Sequence, residues 1–410
     1  MEKLYYRKRY LDSLETTVKE IVTSIGQVGL RLEEDIVFPG GGGQAADIAS
    51  IAGNSNKIFD ILSVREDEIN GNLHYVDASS SAFNVGDRVS VNIDWKHRED
   101  NMHQHSGQHV LSGCFYKLFG RNTTGLHIGK TVSQLDIEGL FDDEMVAKIE
   151  LYANEIIQQS IEVENYVSED DNIVTRRKLP DTDNGIRILK IGDLDINACC
   201  GIHVYNTRDL RLIKIVRYYK NKNGTRFEYL VGKRAVDFVL KRESIFEKIL
   251  KLYSCNEDTI INALMNEGLK KDELVLEKKY LENKLLPTIS NELIGSGENI
   301  FDEVTLITKV FSSDKKWFIE DLAKYITENN RAIVLIANEK ENNTEILLQC
   351  SKSISDEYPM INMGQLWKES SHLVRVKGGG SKFLAQGICE KTEDILVFFA
   401  NIKSSIKNEK

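Results

Sequence analysis

Proline is scarce in this chain, with 4 in 410 residues. No stretch approaches the roughly 18 uninterrupted apolar residues of a membrane span. Little proline beside 41% hydrophobic and 28% charged residues excludes collagen-like, mucin-like and largely disordered chains. The missing apolar run excludes a transmembrane helix. Met1-Glu2-Lys3-Leu4-Tyr5-Tyr6-Arg7-Lys8 lacks the apolar core of a signal peptide, so a cytoplasmic protein without a membrane partner is expected. Cysteine is thin as well: six residues are too few for a disulfide scaffold. Cys114, Cys255, Cys350 and Cys389 stand alone, and the adjacent Cys199 and Cys200 are poor partners for each other. Such thiols are buried, catalytic or metal-bound. At roughly 100–200 residues per domain, the length implies two to four domains.

The net charge is −10, from 53 basic and 63 acidic residues, which taken alone argues against broad nucleic-acid affinity. The charge is uneven. From Tyr205 to Arg234 nine Lys or Arg face only Asp209 and Glu228, so this stretch carries +7. It reads either as a solvated hairpin or as a patch for phosphates, with Arg208, Arg211 and Lys214 as candidate contacts.

Residues 1–95 read as mostly β, with short runs at Ile58–Val64, Leu73–Val76 and Arg88–Ile93 and turn signals at Asn70-Gly71 and Asn84–Asp87. A helix or long strand precedes them at Leu11–Val22. Residues 100–235 alternate: a helix near His105–Phe119, strands near Leu126–Ile137, and a helix at Asp143–Ser160. Strands follow at Glu162–Val167, Ile186–Ile191, Leu212–Tyr219 and Thr225–Leu230, an α+β pattern. Ala235–Leu286 has the heptad-like apolar spacing of long amphipathic helices, and Pro287 is expected to end it. Beyond Gly295 the pattern predicts a strand at Val304–Phe311, a helix at Trp317–Thr327, strands at Arg331–Ala337 and Glu345–Cys350, and a last strand at Ile395–Asn401. The expected fold is α+β and multidomain. It comprises a β-rich, barrel-like N-terminal domain (1–95), an α+β domain (96–234), a long-helix linker (235–290) and an α/β C-terminal domain (291–410).

His105-Ser106-Gly107-Gln108-His109 places two imidazoles at i and i+4, on one face of a helix and one turn apart. Ninety residues later, Cys199-Cys200-Gly201-Ile202-His203 repeats that spacing with a thiol and an imidazole. A lone HxxxH pair more often marks exposed or core histidines. Here four of the eight histidines (97, 103, 105 and 109) crowd into thirteen residues, and a second pair follows. Three nitrogens and one thiolate suit tetrahedral zinc, with His105, His109, Cys199 and His203 as ligands. Cys199, four residues from His203, is preferred to Cys200, three away; His103 is the spare.

Two glycine-rich segments stand out. Phe38-Pro39-Gly40-Gly41-Gly42-Gly43-Gln44 is a loop whose bare backbone can approach a ligand closely. It matches neither GxGxxG nor GxxxxGK[ST], and it reads equally as a flexible loop. Lys377-Gly378-Gly379-Gly380-Ser381-Lys382 carries two lysines, so an RNA backbone could sit there.

Taken together and in order, these segments closely resemble the long form of AlaX, the freestanding alanyl-tRNA editing proteins similar to the editing and C-terminal parts of alanyl-tRNA synthetase. Phe38 to Gln44 looks like the family's glycine-rich motif. Asp94-Trp95-Lys96-His97-Arg98, followed by Met102 through Ser112, looks like its HxxxH segment. Cys199 to His203 stands where the family has a CxxxH pair, usually with glycine at the place of Cys200. Phe227 to Arg234 resembles the strand that closes the editing domain, and Lys377 to Gly387 resembles the end of the DHH-associated domain. The likeness covers nearly the whole chain. It departs at Gly40, where relatives often carry Glu or Thr, and in a shorter C-terminal glycine run.

The resemblance implies hydrolysis of the ester in mischarged tRNA(Ala), chiefly Ser-tRNA(Ala), at a zinc-containing site; activity on Gly-tRNA(Ala) stays open. A pocket for alanine discriminates small side chains poorly, whereas a second site that hydrogen-bonds the serine hydroxyl rejects alanine strongly. Gly41, Gly42, Gly43, Gln44, His127 and Asp136 are candidate pocket residues. Lys377, Gly378, Gly379, Gly380 and Lys382 join Arg208, Arg211 and Lys214 as candidate tRNA contacts. No general base can be named. Zinc either exchanges one ligand for water or substrate, or orients the pocket while a separate water attacks; the closed ligand set favours the second. A homodimer through the helical and C-terminal regions is expected, with an intramolecular hairpin nearly as good a use of the long helices. A DHH phosphodiesterase is disfavoured because no Asp-His-His occurs. A non-catalytic tRNA-binding module with structural zinc is the main rival. An activation domain has no room before residue 1, so no nucleotide cofactor is expected.

Overall fold

Seven short strands follow a single helical turn, α1 (Leu4–Arg7), at the start of the computed structural model. It describes residues 3–24, 27–53, 57–67, 71–77, 83–168, 173–177, 185–312, 318–390 and 394–408; Asn70 and Trp317 lie outside these. The chain parts into two compact units, Met1–Lys251 and Leu252–Lys410. Among the described residues no helix is long and apolar enough to cross a membrane.

In the first unit, β1 (Ser13–Ser24), β2 (Gln27–Leu32), β3 (Ala49–Ala52), β4 (Ile58–Ile61), β5 (Ser63–Arg65), β6 (Leu73–Asp77) and β7 (Arg88–Ile93) form one sheet in the order 4-3-7-1-2-6-5. The chain passes directly from β4 into β5, and the Leu62 N–H donates to the Tyr75 carbonyl at 2.8 Å, so the sheet nearly closes into a barrel. Leu11–Val22, open between helix and strand from its sequence, is largely strand. Its inward residue Val18 joins Leu30, Ile51, Val76, Val89 and Val91 in the core.

The second half of this unit is built around α2 (Trp95–Phe119), capped by the Asp94 carboxylate on the His97 N–H and closed by Gly120. Then come β8 (Thr123–His127), β9 (Ser133–Glu138), α3 (Asp143–Gln158), β10 (Val163–Ser168), β11 (Ile186–Ile191), β12 (Asp195–Ala198), β13 (Ile213–Asn221), β14 (Gly224–Val231) and α4 (Lys233–Tyr253). The order 13-14-9-8 makes a four-stranded antiparallel sheet, and 10-11-12 a three-stranded one. From Asn101 to Phe115 every residue of α2 is buried, although many are polar. Burial of such a helix requires a partner for each polar group. The Gln104 side-chain amide therefore exchanges two bonds with the Val231 backbone, at 2.9 and 3.1 Å, and the Gln104 backbone carbonyl accepts the Tyr229 hydroxyl at 3.2 Å. Gly107 is needed because a Cβ there would fall 2.3 Å from Val231, which lets α2 lie tight on β14.

The second unit holds α5 (Ile260–Gly295), β15 (Glu298–Phe301), β16 (Val304–Ser312), α6 (Ile319–Asn329), β17 (Ala332–Glu339), β18 (Asn343–Cys350), α7 (Lys352–Glu357), α8 (Met363–Ser370), β19 (Lys377–Gly380), β20 (Leu384–Glu390) and α9 (Ile395–Asn408). Its sheet runs 15-16-17-18-20-19, with only the β16–β17 pair parallel. Alternate residues of β17 feed two cores, Ile333, Leu335 and Ala337 on one face and Val334 and Ile336 on the other.

Two expectations fail here. Pro287 does not end its helix but sits exposed inside α5. Proline costs about 3 kcal/mol in a helix interior, but Leu286 and Leu293 on the opposite side are buried against α6 and carry the helix through. Ile395–Asn401 is helix rather than strand. Its apolar run mimics a buried strand, yet Ile395, Phe398, Phe399, Ile402 and Ile406 are buried at helical spacing while Leu396 and Val397 are exposed.

One ion pair ties the barrel to α2. Arg98, fully buried, sends Nε 2.9 Å to Asp47 Oδ1 and Nη2 to Asp47 Oδ2 and the Ile36 carbonyl. Replacing one partner strands the other charge in the interior. Asp47→Asn or Arg98→Met is expected to lower unfolding free energy by about 3–5 kcal/mol in urea titration; a loss below about 1 kcal/mol would show that the pair does not join the two parts.

Candidate metal centre

Helical periodicity sets His105 and His109 one turn apart on α2, and β12 delivers Cys199 to the same place. Their ligand atoms and that of His203 lie within 4.8 Å of one another, and all four residues are buried. Cys199 Sγ is 3.5 Å from His105 Nε2 and 3.2 Å from His203 Nε2. Cys200 is exposed and takes no part in the cluster; its carbonyl accepts the Tyr6 hydroxyl at 2.7 Å.

The partners of the three imidazoles decide which nitrogen is available. His105 Nδ1 lies 3.0 Å from Gln44 Oε1, an oxygen that also accepts the Ile202 N–H at 2.9 Å. His109 Nδ1 lies 2.9 Å from Asp195 Oδ2. His203 Nδ1 lies 3.1 Å from Ser106 Oγ, which accepts the Val204 N–H. The Gln44 and Asp195 oxygens can only accept, so His105 and His109 donate through Nδ1 and turn Nε2 towards the cluster, and the Ser106 hydroxyl fits the same tautomer of His203. Three imidazole nitrogens and one sulfur converging in a buried site fit a tetrahedral divalent metal of the zinc type.

The electrostatics agree with this donor set. Burial raises the Cys199 thiol, but His105, His203 and His109 around it draw it well below its ordinary value, towards thiolate. Burial pushes His203 down to about 3, so it is neutral. Burial would also lower His109, yet the Cys199 thiolate and the Asp195 carboxylate outweigh it and lift His109 to about 9. Asp195 is held below the usual carboxylate range, since His109 and Arg176 more than offset its burial.

The glycine-rich loop lies against this cluster. Gly41, Gly42 and Gly43 all have positive φ, at 145°, 59° and 85°. A Cβ on Gly42 would sit 3.3 Å from the Gly201 nitrogen and 3.6 Å from His105 Cε1. Gln44, a candidate pocket residue, places its side-chain oxygen against His105 Nδ1 and the Ile202 N–H. His127 is exposed on β8, next to Leu126, which faces Gly43. Asp136 lies on the sheet face turned away from the core residues Leu135 and Ile137, in a fork with Arg226 at 2.7 Å for each bond. His103 is buried against Gly232, outside the cluster.

The basic stretch is largely paired. Arg211 meets Glu99, Lys214 meets Glu150, Arg217 meets Glu228, Arg226 meets Asp136 and Arg234 meets Asp100. Arg208 is the most exposed of the three candidate tRNA contacts there, 72% accessible and 4.0 Å from Asp209. In the second unit, Lys377–Gly380 form the exposed edge strand β19, and Lys382 lies 3.6 Å from Asp356. Sequence reasoning missed Asp195 and Ser106. Ser106 had a signal, lying between the two helix ligands; Asp195 reaches His109 across 86 residues and had none.

Comparison with known proteins gives three findings. Residues 186–228 match the family described as the threonyl and alanyl tRNA synthetase second additional domain. The alanyl-tRNA editing protein AlaX-L of Pyrococcus horikoshii is 29% identical over 412 residues, covering 96% of this chain and 96% of that protein. The alanyl-tRNA editing protein Aarsd1-B of Xenopus laevis is 30% identical, covering 77% of this chain and 76% of its own.

His109 carries a proton near neutrality that a metal must expel. Apparent metal affinity is therefore expected to rise about tenfold per pH unit up to about pH 9 and then level. Metal titrations between pH 6 and 10 check this; an affinity flat over the whole range would contradict the protonated His109.

Proposed function

This chain belongs to the alanyl-tRNA editing protein family, and we propose that it hydrolyses mischarged tRNA(Ala) in trans, chiefly Ser-tRNA(Ala) and secondarily Gly-tRNA(Ala). It is an aminoacyl-tRNA hydrolase: water adds to the ester carbonyl, the bond to the ribose oxygen breaks, and free amino acid and tRNA leave. The observation that carries the proposal is the buried cluster of His105, His109, Cys199 and His203 in a chain matched almost end to end by an alanyl-tRNA editing protein.

The four ligands would hold zinc, and their closed set suits an ion that orients the pocket as a fixed positive charge. The chain's own residues supply the rest. Gln44, Asp195 and Ser106 hold the imidazoles in one tautomer. Gly41 to Gly43 line the approach with bare backbone, close enough to the Cys199–His203 loop to meet a small amino acid. The serine hydroxyl would be satisfied there, and alanine would leave the same polar groups unpaired. His127, beside Leu126, and Asp136 are assigned to the periphery of this pocket.

The tRNA backbone is proposed to meet Arg208 and Arg211, with Lys214 exchanging Glu150 for a phosphate. Surface ion pairs are worth about 0–1 kcal/mol, so such exchange is cheap. Lys377, Gly378, Gly379, Gly380 and Lys382 would contact RNA along the β19 edge. Leu274, Leu281 and Leu285 are exposed on one face of α5, and a second copy would bury them in a homodimer. The functional segments are 1–95, with the glycine-rich loop, 96–234, with the metal centre, the helical 235–290, and 291–410.

The test is deacylation of Ser-tRNA(Ala) beside Ala-tRNA(Ala) and Ser-tRNA(Ser). Rapid loss of serine from tRNA(Ala), with alanine retained, is expected. No hydrolysis by the zinc-loaded protein would overturn the proposal in favour of a binding module. Cys199→Ala is expected to lower bound zinc and to cut deacylation more than about a hundredfold, beyond what loss of a supporting group costs; unchanged zinc content would remove Cys199 from the site.

A further inference from the structure

The Asp195 carboxylate is 2% exposed and has both oxygens engaged. Oδ2 takes the His109 Nδ1 proton at 2.9 Å. Oδ1 takes Arg176 Nε at 2.8 Å and the Asn197 side-chain amide. Arg176 is itself buried, with a side chain 4% exposed, and its backbone N–H is tied to the Ile196 carbonyl at 3.0 Å. One of its guanidinium nitrogens, Nη1, is buried without a hydrogen-bond partner.

A site selected for stability alone would not bury an arginine with an unmatched donor. The contact that Arg176 does make is to the carboxylate that orients a candidate ligand. We infer that Asp195 and Arg176 form a positioning pair for the metal centre, with Asp195 fixing the tautomer and direction of His109 and Arg176 holding Asp195. The two charges cancel. The carboxylate can therefore align the imidazole without adding net negative charge beside the Cys199 thiolate, and the centre keeps positive charge for the ester. Asn197, two residues on, limits Asp195 to one rotamer by binding the oxygen that His109 does not use.

This inference rests on the metal reading above, and its test separates the two. Wild-type protein and three variants (Asp195→Asn, Arg176→Gln and the double variant) are titrated with zinc against a chelator and with cobalt followed by its visible bands. The double variant removes the carboxylate without stranding a buried cation, so it stays informative if a single variant fails to fold. Asp195→Asn and the double variant are expected to bind zinc about 10–100-fold more weakly and to shift the cobalt bands. Arg176→Gln should change both in the same direction and by less. A folded double variant with wild-type affinity and wild-type bands would overturn the inference while leaving the metal site intact. Failure of the wild type to bind either metal would instead sink the metal reading itself.

Discussion

Everything of chemical interest in this molecule depends on bringing four donor atoms within 4.8 Å of one another in a buried place. Two come from one helix turn and two from a loop ninety residues later. Neither pair is useful unless each imidazole presents its Nε2, so each Nδ1 needs an oxygen to receive its proton. Gln44 comes from the glycine-rich loop between β2 and β3, Ser106 from α2 and Asp195 from the β11–β12 hairpin. Three parts of the first unit are thereby tied to a single point. The Arg98–Asp47 pair holds the barrel to α2, and Gly107 holds α2 against β14. These features look separate, but each keeps a second-rank partner in register.

The charge distribution tells a second story. An acidic protein that handles an acidic substrate needs cations where the substrate passes. The basic stretch is the proposed source, yet most of its cations are matched by carboxylates from elsewhere in the fold, such as Glu150 from α3 and Asp136 from β9. Exposed pairs of this kind are weak and screened by salt. On the proposed reading, they would keep the free protein from collecting arbitrary polyanions and would be traded for phosphates once the rest of a substrate is held.

Much of the centre was legible in the sequence because i, i+4 spacing survives folding: a helix keeps His105 and His109 together whatever surrounds it. The four-residue spacing also picked Cys199 over Cys200, although Cys199 to His203 is a loop and no helical periodicity enforces the spacing there. Tertiary partners were not. The Asp195–His109 contact spans 86 residues, and only the hairpin creates it. Gln44 was noticed for its place in a glycine loop, but its use as a support for His105 depends on the Ile202 N–H that pins its oxygen. Local rules failed where packing outweighed them. Pro287 stays inside α5 because Leu286 and Leu293 are buried, and the apolar run at Ile395 coils because Phe398 and Phe399 need the same core. Net charge over a window could not reveal that the partners of Arg211, Lys214 and Arg226 come from other elements.

The most direct test of the central claim is X-ray absorption at the zinc edge of the metal-loaded full-length protein. The arrangement of His105, His109, His203 and Cys199 predicts a shell of three nitrogens at about 2.0 Å and one sulfur at about 2.3 Å. A shell of light atoms without sulfur, or one with two sulfurs, would contradict it.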